Sequence, residues 1–401
     1  MTKSAKPKVV IFCDHLLYLS ETFIRAQAQA LQQFAPVYAG SRRVCGLDLP
    51  EASTHIISDG SFGGRVSEAV FKLFGSAPAL ARKLHALRPV LMHAHFGPDG
   101  LRALPLSQRL GVPLIVTFHG SDATALNTRR HEAPWGHRRY QAKKHVLERN
   151  GRLFIAVSDF IRKKLLEQNF SADKVLVHYI GVDTARFAPD QGEDKPVVLF
   201  VSRLVERKGA DFLIRAMAEV QKENSSVELV LIGDGPLRGD LERQARKSLR
   251  RYRFLGAQSS DVVRGWMDRA SVFSVPSVKT RTGEEEALGI VFAEAQAMEK
   301  PVVSFLSGGI SEVVRHGETG FLSPERDWQG LAQHLSMLLR NADLRRRFGV
   351  AGRQRVLKLF DLNTQTSALE SIYQSAIDSA MRVPSLSHDN FSATVPVCKS
   401  L

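Results

Sequence analysis

Two glutamates, Glu286 and Glu294, stand on either side of Gly289 in the segment Glu-Ala-Leu-Gly-Ile-Val-Phe-Ala-Glu. The apolar residues after the glycine predict a helix that begins near Ile290. Free backbone amides at a helix start, with the helix dipole behind them, favour a phosphate group. Glu294, about one turn into the helix, could accept hydrogen bonds from ribose hydroxyls, and Glu286 could face the hydroxyls of a sugar. An ordinary amphipathic helix with an acidic cap could show the same spacing, so the pair needs further support.

Two cations supply part of that support. Arg203 and Lys208 follow the first predicted strand of the second half of the chain. A diphosphate at a strand-to-helix crossover needs fixed positive charge of this kind, although a single arginine or lysine is more often a solvated surface residue. Gly308 and Gly309 follow another predicted strand and permit close backbone approach, with Glu312 at a predicted helix start. Together these residues indicate a diphosphate ligand that carries sugar hydroxyls.

The elements that must position these residues form two similar halves. The chain has 401 residues, 44% of them hydrophobic, and this length predicts two domains. Short apolar runs alternate with helical patterns, which indicates a parallel α/β sheet whose strands carry ligand-binding residues at their carboxyl ends. The predicted strands of the first half are 9–13, 91–95, 113–118 and 153–158, and those of the second half are 197–201, 227–232, 252–255, 272–275, 301–305 and 320–322.

The domain boundaries follow from composition. The turn-rich polar stretch 187–196 indicates a linker, so we expect a first domain over residues 1–188 and a second over 196–363. Residues 326–381 show a helical pattern throughout, and we expect the last helix, 364–381, to cross back to the first domain. The tail 382–401 has no periodicity and is rich in Ser, Pro and Asn, which predicts poor order.

The bulk properties exclude several classes of protein. No uninterrupted apolar run is long enough to span a membrane, and the short polar start lacks the apolar core of a secretory signal. We therefore expect a cytoplasmic protein. Cys13, Cys45 and Cys398 lie far apart and predict neither a disulfide framework nor a metal cluster.

The chain is strongly basic, with a formal net charge of +14 and a pI of about 9.9, which implies anionic partners. Basic runs on helices are usually solvated faces, but we expect the basic runs of this chain to attract an acidic membrane surface or an anionic acceptor. Nucleic acid is the competing partner, and it is not expected because no interleaved aromatic platform or known module accompanies the charge. The basic stretches lie at 129–131, 137–140, 143–144, 162–164 and 243–253.

Two patterns suggest other chemistry. Gly233, Gly235 and Gly239 follow a strand like a dinucleotide fingerprint, but their spacing is wrong by one, so a glycine-rich turn at the cleft is the better explanation. His93 and His95 have a legitimate metal-ligand spacing, yet no clustered carboxylate or cysteine completes a site, and no metal is expected. His119 is either a structural histidine at a strand end or a ligand contact, and the surrounding Phe-His-Gly-Ser-Asp favours the contact.

These segments resemble the retaining glycosyltransferases of family 4, which have the GT-B fold of two Rossmann-like domains facing across a cleft and carry an E-x7-E motif. The resemblance covers nearly the whole chain. In the first half it includes the segments that start at Ser20, His93, Thr117, Val157 and Gly181. In the second half it includes those at Ser202, Lys208, Gly233, Phe254, Val275, Glu286, Gly308 and Thr319.

The resemblance implies a role for each matching residue. Arg203 and Lys208 would hold the diphosphate of a nucleotide diphosphate sugar and stabilise the leaving nucleotide. Glu286 would contact the transferred sugar, and Glu294 the ribose. His119 would approach the donor sugar from the facing domain. The remaining expected donor contacts are the backbone amides of Gly289, Ile290 and Val291, and Gly256 with the residues after it at the border of the nucleotide base.

The resemblance also implies a mechanism. The cations take the place that a magnesium ion has elsewhere, so neither a metal nor a cofactor beyond the donor is expected. Retention would proceed by front-face attack through an oxocarbenium-like ion pair, which makes Glu286 no covalent nucleophile. The expected reaction is the transfer of a hexose to a glycan acceptor.

Some residues depart from the family pattern. Many relatives carry a Gly-Gly pair in the loop after the first strand, whereas residues 14–19 contain no glycine, so the resemblance does not extend to a phosphate contact there. Ser311 replaces a common proline. The Ser-Glu-Thr-Phe segment at Ser20 is typical of a subgroup that builds exopolysaccharide, capsule or lipopolysaccharide, which points to a lipid-linked glycan acceptor.

Two other functions compete with this interpretation. A nucleotide-sugar epimerase has the same architecture, but the Glu286–Glu294 pair together with Arg203 and Lys208 disfavours it. A basic membrane- or polymer-binding scaffold with a dead site is the non-enzymatic alternative, and the same intact residues argue against it.

Overall fold

The computed structural model describes residues 6–124, 135–190 and 195–381, and omits the side chains of 135–137. The predicted tail 382–401 with Cys398, the centre of the predicted linker and the basic stretch at 129–131 lie outside these ranges. The first-half strands are β1 (Lys8–Phe12), β2 (His15–Leu16), β3 (Ala35–Arg43), β4 (Thr54–Ser58), β5 (Pro89–His95), β6 (Leu114–Phe118), β7 (Leu153–Ala156) and β8 (Val175–Val177). The helices between them are α1 (Thr22–Ala30), α2 (Phe62–Phe74), α3 (Pro78–Leu87), α4 (Gly97–Leu110), α5 (Ser121–Thr124), α6 (Trp135–Asn150) and α7 (Asp159–Glu167).

The second half repeats the alternation of strand and helix. Its strands are β9 (Lys195–Val201), β10 (Glu228–Ile232), β11 (Tyr252–Phe254), β12 (Ala270–Ser274), β13 (Val302–Phe305) and β14 (Gly320–Ser323). Its helices are α8 (Ala210–Glu223), α9 (Arg238–Ser248), α10 (Ser260–Arg269), α11 (Ile290–Ala297), α12 (Ile310–Val313), α13 (Trp328–Arg340), α14 (Ala342–Leu359) and α15 (Leu362–Met381).

Two parallel sheets result. In the first, β3 pairs with β1, β2 and β4, and the order continues from β1 through β5, β6 and β7 to β8. The second has the order β11-β10-β9-β12-β13-β14. Strand centres are buried on both faces, as continuous apolar runs require; Val198, Leu199 and Phe200 of β9 are fully buried. The predicted α/β class with two Rossmann-like domains is confirmed.

Strand order reverses next to the first strand of each sheet, between β1 and β5 and between β9 and β12. Loops that leave neighbouring strands in opposite directions open a crevice at such a point. The loops after β9 and β12 carry the segments that begin at Ser202 and Val275, so the topology places them at one edge.

Four first-half strands were absent from the sequence prediction: β2, β3, β4 and β8. The β3 sequence, APVYAGSRR, mixes a proline, a glycine and two arginines with its apolar residues, so it has no continuous apolar run. Five of its nine residues are nevertheless buried, because β1 and β4 pair along it. Pairing with neighbouring strands here outweighs a local sequence pattern that indicates a strand only weakly.

The stretch 326–381 is helical almost throughout, as predicted, and it is divided into α13, α14 and α15. Asn341 ends α13, and its side chain accepts a hydrogen bond from the Leu344 amide, which caps α14. A second break follows α14, where Asp361 forms a bridge with Val182 of the first half. No helix among the described residues is long and apolar enough to cross a membrane.

The last helix, α15, packs against the first domain. Glu370 Oε1 accepts hydrogen bonds from the backbone amides of Gln32 and Gln33, at 2.7 and 2.6 Å, and of Phe34 at 3.3 Å. The Tyr373 hydroxyl lies 2.6 Å from His93 Nδ1, next to the edge where the site residues gather. The helix therefore contributes both core and polar contacts to the first sheet.

Candidate active site

A cavity of about 420 Å³ lies between the two domains, at the carboxyl ends of their strands. Eight of the nine predicted site residues line it: His119, Arg203, Lys208, Glu286, Gly289, Ile290, Val291 and Glu294. The ninth, Gly256, does not. The structure thus brings residues from distant parts of the chain to one place.

Lys208 and Glu286 form a buried ion pair in this cavity, with Lys208 Nζ against Glu286 Oε2. The Ser277 hydroxyl donates to the same carboxylate oxygen over 3.2 Å. Lys208 ends a 3₁₀ turn, Glu206–Lys208, which closes at Gly209 with φ of 62°. A Cβ there would lie 2.0 Å from the Pro276 carbonyl oxygen, so only glycine lets the turn approach the end of β12.

The charges around Glu286 are unbalanced. Burial by itself would raise its pKa, but the charges of Lys208 and Arg207 and the hydrogen bonds from Lys208 and Ser277 lower the pKa to about 2. Burial lowers the pKa of Lys208; Glu286 opposes this shift, whereas Arg207 and Arg203 add repulsion. Two cationic side chains therefore act on the one carboxylate, Arg203 adds a third positive charge near Lys208, and the surplus positive charge favours an anionic ligand.

Arg203 is the exposed member of this group, and its side chain has no hydrogen bond or ion pair within the part of the chain that the structure describes. Arg207, which the sequence analysis did not single out, also lines the cavity. Its Nη1 donates to the Glu285 carbonyl over 3.2 Å, while its Nε is buried without a partner among the described residues. The sequence signal that could have identified Arg207 is its position between Arg203 and Lys208.

Helix α11 begins at the cavity wall. Its N-cap, Gly289, has φ of 80°, a conformation that glycine adopts at little cost. The amides of Gly289, Ile290 and Val291 have no backbone or side-chain acceptor among the described residues, as expected for the first turn of a helix. They offer donors to an anion in the cavity.

The Gly308-Gly309 pair holds the loop that carries Glu286. A Cβ at Gly308 would lie 2.0 Å from the Glu286 carbonyl oxygen, and one at Gly309 would lie 2.0 Å from that of Ala287. The Gly309 amide also donates to the Glu286 carbonyl over 2.9 Å. The predicted close approach of the two backbones therefore fixes the loop that carries Glu286.

Glu294 faces the cavity from the middle of α11. Burial raises its pKa to about 7, and Arg186 offsets this only in part. Its carboxyl group has no hydrogen-bond partner among the described residues. A half-buried carboxyl group without a partner gains from a ligand that donates hydrogen bonds, such as a diol.

His119 forms the wall contributed by the first domain. Its Nε2 lies 3.0 Å from His95 Nδ1, and its buried Nδ1 has no partner in the described ranges. Burial, with a smaller effect of His93, lowers its pKa to about 3, so the ring is neutral. The rings of Phe23 and Phe96 pack against it, with centroids 5.0 and 4.8 Å away.

Asp122 fixes the backbone around His119. Its carboxylate accepts hydrogen bonds from the amides of His119, Gly120 and Gly97, at 3.1, 2.7 and 3.0 Å. It therefore joins the loops that follow β5 and β6. The sequence analysis included Asp122 in a quoted segment but gave it no role.

Gly256 lies at the end of β11, where its carbonyl accepts a hydrogen bond from the Gly233 amide over 2.8 Å. The residues that reach the cavity on this side are Gln258, Ser260 and Val263. Gly256 itself does not line the cavity, but residues shortly after it, which were expected at the base together with it, do.

The glycine-free loop 14–19 reaches the cavity only at Leu19, and the start of α1 continues the wall through Ser20, Glu21, Thr22 and Phe23. Glu21 Oε2 accepts a hydrogen bond from the Tyr18 amide over 2.8 Å. Burial raises the pKa of Glu21. The wall that follows the glycine-free loop therefore carries a carboxyl group.

The two domains touch across the cleft. The Ser158 hydroxyl donates to the Ala287 carbonyl over 2.6 Å. Glu312 lies in the first turn of α12, as predicted, but its carboxylate reaches the facing domain and accepts from the amides of Asp159 and Phe160, over 2.8 and 2.9 Å. Tyr179 donates to it as well, over 3.1 Å. These contacts join the two domains beside the cleft.

The glycines at Gly233 and Gly235 and the histidine His93, which suggested other chemistry, have structural explanations. A Cβ at Gly233 would lie 1.8 Å from the Ser202 carbonyl oxygen, and one at Gly235 would lie 2.4 Å from that of Leu204. These glycines therefore pack against the loop after β9. His93 uses both ring nitrogens, on Tyr373 and on Thr117 Oγ1 at 2.7 Å. Across the described ranges, no three His, Cys, Asp or Glu residues gather as a metal site.

Comparisons with known proteins agree with this geometry. A family model described as "Glycosyl transferases group 1" matches residues 182–355, and one described as "Glycosyltransferase Family 4" matches residues 20–186. The chain is 32% identical over 255 residues to a protein of Escherichia coli (strain K12) named as the colanic acid biosynthesis glycosyltransferase WcaL. That match covers 61% of this chain and 60% of WcaL, less than two thirds of the relative's length.

A second relative is covered more completely. The GDP-mannose-dependent alpha-(1-6)-phosphatidylinositol monomannoside mannosyltransferase of Mycolicibacterium smegmatis is 31% identical over 286 residues, which is 67% of this chain and 72% of the relative. Among solved structures, Anabaena HepE in complex with UDP and glucose superposes with a TM-score of 0.74 at 19% identity. The superposition covers 92% of this chain and 100% of HepE, and it shows a shared fold.

Proposed function

Since the chain belongs to glycosyltransferase family 4 and has the GT-B fold, we propose that it is a retaining hexosyltransferase whose donor is a nucleotide diphosphate sugar. The observation that carries the proposal is the surplus of positive charge around Glu286, beside the free amides at the start of α11. A diphosphate is the ligand that matches both features.

Each part of the donor has a matching group in the cavity. Arg203, Lys208 and the α11 amides hold the diphosphate and stabilise the leaving nucleotide. Glu294 accepts hydrogen bonds from the ribose. Glu286 contacts the transferred sugar from one side, and His119 contacts it from the other. The nucleotide base lies beyond Glu294, near Gln258 and Ser260.

The charges also favour a mechanism. The bond between the anomeric carbon and the diphosphate oxygen breaks with its electron pair going to the diphosphate, where the cations neutralise the new charge. Glu286, with a pKa of about 2 and an ion-pair partner, is a weak base and a weak nucleophile. The acceptor hydroxyl therefore attacks the face that the leaving group vacates, and its proton goes to a departing phosphate oxygen. The configuration is retained.

The fixed cations make a metal ion unnecessary in this proposal. Lys208, Arg207 and Arg203 supply the charge that a magnesium ion would otherwise supply. The enzyme then needs no cofactor apart from its donor substrate.

The acceptor is proposed from the relatives and from the charge of the chain. The relatives' names concern colanic acid biosynthesis and a phosphatidylinositol monomannoside, and the second of these is a sugar carried on a lipid. The net charge of +14 would hold the protein at an acidic membrane surface, where this acceptor lies. We therefore infer a lipid-linked glycan acceptor for surface polysaccharide synthesis.

A panel of UDP-, GDP- and ADP-sugars tests the proposal. The purified protein should be stabilised against heat by one nucleotide class and should hydrolyse the matching sugar slowly, releasing free sugar and nucleoside diphosphate. An epimerase would instead convert the donor into its epimer without releasing nucleoside diphosphate. A protein that responds to no member of the panel would contradict the proposal.

A further inference from the structure

Helix α2 of the first domain displays a stripe of large apolar side chains to solvent. Phe62 and Phe74 are 85% and 76% exposed, and Val66, Val70 and Leu73 are 48%, 38% and 49% exposed. Their spacing places them on one face of the helix. Of the thirteen exposed large hydrophobic residues in the described part of the chain, these five lie on one helix of 13 residues. Such clustering marks an interaction surface, whereas scattered apolar residues do not.

The opposite face of α2 is already occupied. Phe71 is buried in the first domain's core, and Glu68 is buried beside it. The helix is thus held by its inner face, while its outer face has nothing against it among the described residues. A helix that only covers a core would carry polar residues outside.

The rim of the stripe is basic. Glu68 is the only acidic residue within α2, and it pairs with Lys72 and with Arg42, the latter at 3.7 Å. Arg65 on the helix and Arg43 beside Arg42 are both exposed. An apolar face with a cationic rim matches anionic head groups above acyl chains.

Helix α2 is joined to the loop that leads to the cavity. On the inner side of the helix, Lys72 Nζ lies 3.7 Å from Asp14 Oδ2, and Asp14 begins the loop whose other end, Leu19, lines the cavity. Tyr18 and Leu19 in that loop are themselves 44% and 65% exposed. Helix α2 therefore packs on the part of the first domain from which this loop reaches the cleft.

We propose that α2 is the membrane-docking element: Phe62, Val66, Val70, Leu73 and Phe74 enter the head-group and acyl boundary of an anionic membrane, and the basic rim contacts lipid phosphates. This inference deepens the proposed function and rests on its lipid-linked acceptor. Docking here brings the cleft to the bilayer surface that holds the acceptor.

Vesicle co-sedimentation of the full-length protein tests the proposal, with phosphatidylcholine vesicles prepared with and without phosphatidylglycerol. The variant Phe62→Ser/Phe74→Ser should bind phosphatidylglycerol-containing vesicles at least about tenfold more weakly, because each phenylalanine loses its apolar burial. The control Met337→Ser/Leu357→Ser changes two exposed apolar residues of the second domain and should bind like the wild type. Arg43→Ala/Arg65→Ala should reduce the preference for phosphatidylglycerol.

Donor hydrolysis without acceptor is measured on every variant, since it reports an intact cleft independently of lipid. Hydrolysis that persists while the Phe62→Ser/Phe74→Ser variant loses vesicle binding supports the proposal. Equal vesicle binding by this variant and the wild type overturns it. So does a wild-type dimer that the variant converts to a monomer without any vesicle binding, since a second copy would then cover the stripe. Wild-type protein that docks through α2 but processes no donor would sink the proposed function and leave the docking surface standing.

Discussion

Lys208 Nζ and Glu286 Oε2 lie against each other in the cavity, both almost wholly removed from solvent. A buried ion pair contributes little net stability, because desolvation offsets its attraction, yet breaking one partner leaves an uncompensated charge. The pair is therefore better explained by chemistry than by stability. In the proposed reaction it holds a cation at the place where the leaving diphosphate gains charge.

Replacing Glu286 tests the catalytic assignment. We expect Glu286→Gln to lower donor turnover by at least about a hundredfold, the scale seen when one preorganised polar contact at a reacting centre is removed. Steady-state kinetics on the matching nucleotide sugar measure this. Glu285→Gln is the matched control, since Glu285 pairs with Lys279 at 2.8 Å and lies one residue away. Unchanged glycan production by Glu286→Ala in cells would instead favour a scaffold with a dead site.

Arg203→Ala should weaken donor binding while leaving the fold unchanged. The side chain is exposed and has no partner among the described residues, so the thermal midpoint should not move. A charge-assisted hydrogen bond to phosphate contributes about 1.5–3 kcal/mol, which corresponds to a loss of affinity of about tenfold or more. Calorimetric titration with the nucleoside diphosphate measures the loss. Equal affinity in variant and wild type would remove Arg203 from the site.

The pKa of Glu294, raised from 4.5 to about 7, gives nucleotide binding a pH dependence. The carboxylate form accepts hydrogen bonds from two ribose hydroxyls, so affinity should rise with pH and level off above about 7. One pH unit below the pKa, affinity should be about tenfold weaker. Glu294→Gln should remove the dependence and bind at a level that does not change with pH, measured by titration across this range.

Glu294 also makes the free energy of unfolding depend on pH, and this dependence has the opposite sign to that of nucleotide binding. Since the folded pKa of Glu294 lies above its ordinary value of 4.5, its contribution to the free energy of unfolding is full below 4.5 and is lost as the pH rises towards about 7. The ligand-free protein should therefore be stabilised by Glu294→Gln above pH 7, relative to wild type. Thermal unfolding of both proteins on each side of pH 7 checks the sign.

His95→Phe should affect the sugar more than the nucleotide. The substitution removes the partner of His119 Nε2, which is 3.0 Å away, and frees the His119 ring to rotate. We expect kcat/KM for the nucleotide sugar to fall by about tenfold, the cost of one hydrogen bond, whereas affinity for the nucleoside diphosphate alone stays the same. Equal losses for both ligands would show a general disturbance of the cleft.

Metal independence is tested by adding a chelator to the purified enzyme. The three cations near Glu286 should keep the rate with the matching nucleotide sugar unchanged, and added magnesium should not increase it. A rate that falls with the chelator and returns with a divalent cation would contradict the assignment of Arg203 and Lys208 as the diphosphate's counter-charge.

The sequence indicated the site better than it indicated the sheet. Glu286, Glu294, Arg203 and Lys208 follow strands with clear apolar runs, and parallel topology alone brings such ends together. Strand β3 was missed because its register depends on β1 and β4, which lie elsewhere in the chain.

Contacts between the domains also could not be predicted from the local sequence pattern. The carboxylate of Glu312 was placed at its own helix start, yet it caps α7 across the cleft. The resemblance implied that Gly256 and the residues after it border the nucleotide base, and the later residues Gln258 and Ser260 line the cavity whereas Gly256 does not. Both depend on how the halves meet.

The packing of α15 on the first sheet has a consequence for synthesis. When translation has passed Phe360, every strand of both sheets has been made, but the amides of Gln32 and Gln33 still lack Glu370, and His93 still lacks Tyr373. Domains ordinarily fold in order as they leave the ribosome. Here the core of the first domain is incomplete until α15 has been made, so a message truncated near the linker yields a product with an open apolar surface that chaperones and proteases recognise.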